Sequence, residues 1–165
     1  MAGDPNANVT SDAHNALARQ LSAEATVLVQ NTRSTLPLPH SPALRIAVIG
    51  DACYDTPIVA GMGSGAVAPP YIVTVLRGVQ AAVEGFGGNG STITYSRTSP
   101  VSAAVAAAQA ADVAIMCTAT VSSEGIDRLD LSLPAAEDAV IEVRVRPSPA
   151  DPQSTVRCVS IAPLE

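Results

Sequence analysis

Residues 45–50 read Arg-Ile-Ala-Val-Ile-Gly, four apolar positions in a row, closed by a glycine. A continuous apolar run of this length, without polar alternation, is the pattern of a strand buried on both faces of a parallel sheet. Downstream, Thr74 to Glu84 has helical spacing and ends in Gly85, Gly87, Gly88 and Gly90. Ser91 to Tyr95 alternates with a period of two, as a strand does. Pro100 to Ala111 is an alanine-rich helix with proline suited to its first turn. Asp112 to Thr118 is a second apolar strand, and a helix follows from Leu133-Pro134 to about Glu142. Strands alternating with helices predict an α/β fold with a mainly parallel β-sheet flanked by helices.

Upstream, Ser11 to Ala25 reads as an amphipathic helix capped by Ser11 or Asp12, with Ala13, Leu17, Leu21 and Ala25 on one face. The β-branched stretch Thr26 to Val29 predicts a short strand, and prolines 37, 39 and 42 mark a loop. After Val143 the chain reads Arg-Val-Arg-Pro-Ser-Pro-Ala-Asp-Pro-Gln, where the α/β rhythm calls for another buried strand. Val156 to Ile161 is short enough for an edge strand only. The fold is therefore expected to be incomplete at the C-terminal end, with residues 1–10 a linker, 11–142 the domain and 143–165 an irregular proline-rich tail. A truncation or frame shift near Val143 would produce such a tail.

The composition excludes several classes of function. With 165 residues and 47% hydrophobic content, the chain holds one domain with a real core. A net charge of -6 and only 15% charged residues leave no basic stripe for nucleic acid. Three tyrosines, one phenylalanine and no tryptophan cannot make a flat aromatic platform for sugars or bases. The N-terminus has neither a basic nor an apolar segment of a signal peptide, and no apolar run is long enough to span a membrane. The compartment stays open, with a secreted or lysosomal parent among the options; Asn8-Val-Thr and Asn89-Gly-Ser are formal glycosylation sequons. Cys53, Cys117 and Cys158 cannot all pair within one chain, match no zinc spacing, and are read as small buried hydrophobes. His14 and His40 stand apart from any ligand cluster, so no metal and no cofactor is expected.

Ligands of open parallel sheets bind where loops leave the carboxyl ends of strands. Two such loops have unusual composition. One, from Asp51 to Pro70, contains Gly61-Met-Gly-Ser-Gly65. It lacks the lysine and the immediate helix of a phosphate loop, so Gly61, Gly63, Ser64 and Gly65 suit a close approach of backbone to a ligand or to another domain. The other follows the Asp112–Thr118 strand and holds Glu124, Asp127, Arg128 and Asp130. It can be a solvated turn in which Arg128 neutralises its neighbours. It can equally be a functional turn, in which Gly125 bends the backbone so that Glu124 projects into a cleft while Asp127 and Arg128 brace it.

Four segments, in order, resemble the C-terminal α/β sandwich domain of family 3 glycoside hydrolases, over residues 12 to 142. They are Ala18-Arg19 with Glu24–Asn31 and Leu36-Pro-Leu38; Arg45–Asp51; Gly61–Gly65 with Pro69, Tyr71 and Thr74; and Ala110–Ile115 with Ser123-Glu-Gly-Ile-Asp-Arg128 and Leu131–Pro134. Gln30 departs from the pattern, standing where a lysine is common. The resemblance implies a retaining β-glycosidase of the β-glucosidase type, acting on a terminal β-linked glucoside or related oligosaccharide. It implies that Glu124 is the acid/base and that the nucleophile is an aspartate on a (β/α)8 barrel for which this chain has no room. Alone, such a fragment would be inactive. Two other readings remain: a non-catalytic carbohydrate- or partner-binding module, and a nucleotide-binding α/β domain.

Overall fold

The computed structural model describes residues 3–4, 7–31, 34–40, 43–59, 68–87, 90–120, 124–125, 127–145 and 157–161. The chain divides into two compact units, Met1–Leu38 and Pro39–Glu165.

The first unit is built on helix α1, Asp12–Ala25. Ser11 caps it in extended conformation, its hydroxyl accepting a bond from the His14 amide at 3.2 Å. This satisfies one of the amide groups that a helix start leaves without an intrahelical partner. No residue of α1 is buried within the described chain, and Leu17 and Leu21 are exposed. The strand expected over Thr26–Val29 does not form: these residues are not in a ladder, and Val27, Leu28 and Val29 are exposed. β-propensity alone does not make a strand, because the backbone needs a neighbouring strand to pair with.

The second unit carries the sheet. Strands β1 (Arg45–Ile49), β2 (Thr92–Ser96), β3 (Val113–Cys117) and β4 (Arg157–Ile161) stand in the order β2-β1-β3-β4, all parallel. The α/β expectation is met, and the short edge strand expected near Val156–Ile161 is β4. Helices α2 (Val75–Gly85), α3 (Val101–Gln109) and α4 (Ala135–Val145) fill the connections. The step from β1 to β2 and the step from β2 across to β3 run in opposite directions over the sheet. Right-handed crossovers therefore place α2 on one face, and α3 with α4 on the other.

Both faces are buried for the same reason. Ala47, Ile49, Ala114 and Met116 meet Ala104, Ala108, Ala111 and Val140 on the α3/α4 side. The small alanines of α3 let the helix sit close on the sheet, so that Ala104 and Ala108 are fully buried. On the other side Ile46, Val48, Val113, Ile115 and Cys117 are buried in turn, which accounts for the unbroken apolar runs of β1 and β3. At the amino edge Asp112 locks the two strands together. Its carboxylate accepts from the Arg45 amide at 2.8 Å and pairs with the Arg45 guanidinium at 2.6 Å.

Candidate active-site edge

The carboxyl ends of β1 and β3 lie side by side, since Ile49 pairs with Met116. One step on, Gly50 adopts φ +114, and a Cβ there would overlap the Cys117 carbonyl. Only glycine permits this crossing. The chain then turns through a single 3-10 turn, Asp51–Cys53, which brings Cys53 under the end of β3. Cys53 and Cys117 form a disulfide with Cα atoms 5.3 Å apart. Both are buried, as expected of small apolar residues, but they are bonded to each other. The sheet brings together thiols that the sequence keeps 64 residues apart.

A network of charges covers the ends of β1 and β2. Arg97 Nε donates to Asp51 Oδ1 at 2.6 Å and lies 3.2 Å from Asp55 Oδ2. Tyr95 donates its hydroxyl proton to Asp55 at 2.8 Å, and its ring meets Tyr54 edge to face. Burial works to raise the Asp51 carboxyl. The Arg97 hydrogen bond, the Thr98 amide and the Arg97 charge outweigh it and hold Asp51 below its ordinary value. Burial, and then the bond to Asp55 and its negative charge, push the Tyr95 phenol far upward, so it stays a donor.

Beyond β3, the Ala119 amide donates to Glu137 Oε2 at 3.2 Å. Burial, opposed by that amide and aided by the charges of Asp51 and Asp138, sets the Glu137 carboxyl above its ordinary value. Glu124 and Gly125 form an exposed turn further along the same loop, with Gly125 at φ +76. Gly125 takes a left-handed backbone that glycine favours, as a sharp turn of either kind can use. Arg128 donates to the Ser132 carbonyl at 3.1 Å, and Asp130 accepts from the Ser132 amide at 2.7 Å, folding the loop back toward α4. Asp127 is exposed. Gly61, Gly63, Ser64 and Gly65 lie outside the described residues. His14 and His40 are exposed, and among the described residues no His, Cys, Asp and Glu side chains group as a metal site would require. No described helix is long and apolar enough to cross a membrane.

Sequence reasoning missed Asp51, Asp55, Tyr95, Arg97 and Glu137. A usable signal existed for Asp51 and Arg97: each stands within two residues of a strand end, and parallel neighbours bring such residues together. None existed for Glu137, whose position depends on how α4 packs.

The fold and this edge define an α/β sheet domain with a loop-borne carboxylate at the carboxyl end of a central strand. Residues 26–150 match the glycosyl hydrolase family 3 C-terminal domain, and the chain belongs to that family. It is 33% identical over 138 residues to a probable β-glucosidase L of Aspergillus terreus, a match covering 74% of this chain and 18% of that protein. It is also 33% identical over 150 residues to the thermostable β-glucosidase B of Acetivibrio thermocellus, covering 83% and 19%. Among solved structures, the β-D-glucoside glucohydrolase of Trichoderma reesei superposes with a TM-score of 0.70 at 27% identity, over 98% of this chain and 25% of that one. The chain thus spans 18% to 19% of the length of these curated relatives.

Proposed function

We propose that this domain supplies the general acid/base, Glu124, to a retaining β-glycosidase whose nucleophile is an aspartate on a (β/α)8 barrel outside these residues. The observation that carries the reading is the exposed Glu124-Gly125 turn on the loop leaving the carboxyl end of β3, inside the stretch that matches the family. A retaining mechanism needs two carboxyl groups about 5 Å apart. One attacks the anomeric carbon; the other protonates the leaving oxygen and later takes a proton from water. A turn at the sheet's edge can present a carboxyl group to a second lobe, and closure of that lobe would raise its pKa by removing water. Tyr71, Ile72, Val73, Leu129 and Leu131 are exposed apolar residues flanking the two loops, as suits a face covered by another domain. Arg128, through its bond to Ser132, braces the loop, with Asp127 beside it. The glycine stretch 61–65 would line the cleft or pack on the barrel.

The test mixes the 165-residue chain with a separately produced barrel domain bearing its aspartate. The chain alone should not hydrolyse β-glucosides, and the mixture should. Glu124→Gln should slow hydrolysis of alkyl β-glucosides by about 10²–10⁴-fold. The kcat/KM of activated aryl glucosides, which reports the first step, should fall far less, because their leaving groups need no proton. Equal activity of Glu124→Gln and the unaltered chain on both substrates would remove Glu124 from the mechanism.

A further inference from the structure

Glu137 stands in the first turn of α4 and is 8% exposed. Its Oε2 holds the Ala119 amide at 3.2 Å, two residues past the end of β3, where the chain sets out toward Glu124. Three residues along α4, Val140 is locked in the core with Ala104 and Ala108. One hydrogen bond therefore fastens the root of the Glu124 loop to a helix that cannot shift without opening the core. The charges acting on Glu137 are Asp138 on its own helix and Asp51 from the turn after β1. Arg97 bonds Asp51 and Asp55 instead.

We propose that Glu137 is the positioning residue for the root of the Glu124 loop, and that its protonation tightens the clamp. A neutral carboxyl group still accepts the Ala119 N–H through its carbonyl oxygen. It no longer buries a charge or faces the carboxylates of Asp51 and Asp138. The charged form makes a stronger bond to the amide and is favoured by the helix N-terminus. Burial nevertheless ranks above the amide bond in setting this group's titration, and the two carboxylates add to it. The closed arrangement thus binds a proton more tightly than an opened one in which Glu137 meets water. By linkage, opening is suppressed in acid and grows as the pH rises through the titration of the closed form. The link to catalysis rests on the acid/base reading of Glu124; the clamp itself does not.

Hydrogen exchange on the isolated chain tests this, with the Ala119 amide protection factor and the Glu137 carboxyl carbon followed by NMR from about pH 4 to about pH 7. The Ile115 amide in β3 reports global unfolding. Glu137 should titrate above an ordinary glutamate, and Ala119 protection should fall from the ordinary glutamate value up to the Glu137 midpoint and level off above it, staying below that of Ile115 throughout. In Glu137→Gln, an uncharged acceptor of the same shape, Ala119 should hold the acid-side protection at every pH. Protection that rises with pH, or an unchanged pH course in Glu137→Gln, overturns the proposal. If that variant does not fold, the wild type decides: Ala119 protection that falls only below the Glu137 midpoint supports the clamp, and a fall that continues above it, or no fall, refutes it. Because no hydrolysis is measured, failure here leaves Glu124 untouched, and failure of the Glu124 assay leaves the clamp standing.

Discussion

Removal of the Cys53–Cys117 bridge should cost this chain a large part of its stability. The bridge closes a loop of 64 residues. In the chain-entropy account, denying the unfolded chain that freedom stabilises the fold by about 4 kcal/mol at 25 °C. The geometry adds no reason to discount it, since Cα atoms 5.3 Å apart lie in the ordinary disulfide range. A single domain has only about 5–15 kcal/mol in total, so reduction should bring it near unfolding.

The measurement is urea unfolding of three proteins, all carrying Cys158→Ser so that the third thiol cannot exchange. They are the oxidised chain, the same chain in dithiothreitol, and Cys53→Ala/Cys117→Ala. With a slope of roughly 2 kcal/mol per molar urea, the midpoint should fall by about 2 M on reduction. The double alanine variant should fall at least as far, because loss of two buried sulfurs leaves a void beneath Gly50. Thiol counting by alkylation and mass comes first. Two reactive thiols in the oxidised, denatured chain with Cys158→Ser, or a midpoint unmoved by reductant, would refute the bridge. Since disulfides persist in oxidising settings, confirmation would also direct the search for the protein's compartment.

Gly50→Ala should destabilise the domain by roughly 2–4 kcal/mol, from backbone strain at φ +114 and collision with the Cys117 carbonyl; a melting temperature equal to wild type would contradict the crossing. The Arg45 hydrogen bond, the Arg45 amide and its charge hold Asp112 down to about 2. A depressed carboxyl contributes stability above the unfolded aspartate value of about 3.9 and loses it as the pH falls toward the folded one. Asp112→Asn should therefore flatten the stability profile between those limits. The effect should be modest and salt-sensitive, because the pair is exposed; a profile unchanged by Asp112→Asn counts against it. Glu137 has the opposite sign. Its raised carboxyl weakens the fold as the pH rises, so Glu137→Gln should unfold at higher urea than wild type near neutral pH and converge with it in acid.

How much was legible follows from the range of each interaction. Buried strands such as Ile46–Ile49 and Val113–Cys117 announce themselves because both faces are apolar and the signal is local. Helix α1 was legible from Ser11 and the four-residue spacing of Leu17 and Leu21. Thr26–Val29 was misjudged because the same local signal says nothing about a pairing partner. Cys53 and Cys117 looked like ordinary buried residues, since what joins them is the register Ile49↔Met116, a non-local fact. Glu124 could be singled out only through the run Ser123–Arg128, and Gly125 beside it takes a left-handed conformation.

The carboxylates of this edge are distinguished by their surroundings more than by their chemistry. Asp51 is held in its charged form by Arg97, with Asp55 receiving both that guanidinium and the Tyr95 hydroxyl proton. Glu137, buried and facing other carboxylates, keeps its proton to a higher pH than an ordinary glutamate does. Groups whose environments push their titration apart can do different work at one pH. Asp51 fixes the turn that carries Cys53, while Glu137 fixes the root of the loop beyond Cys117, and the disulfide ties these two anchors together. The roots of the two loops are therefore held to each other. Asp51→Asn should loosen Arg97 and yet tighten the Ala119 clamp, because it removes a negative charge from Glu137. Ala119 protection that drops in Asp51→Asn would show that the Arg97 network, and not the charge on Glu137, governs the loop.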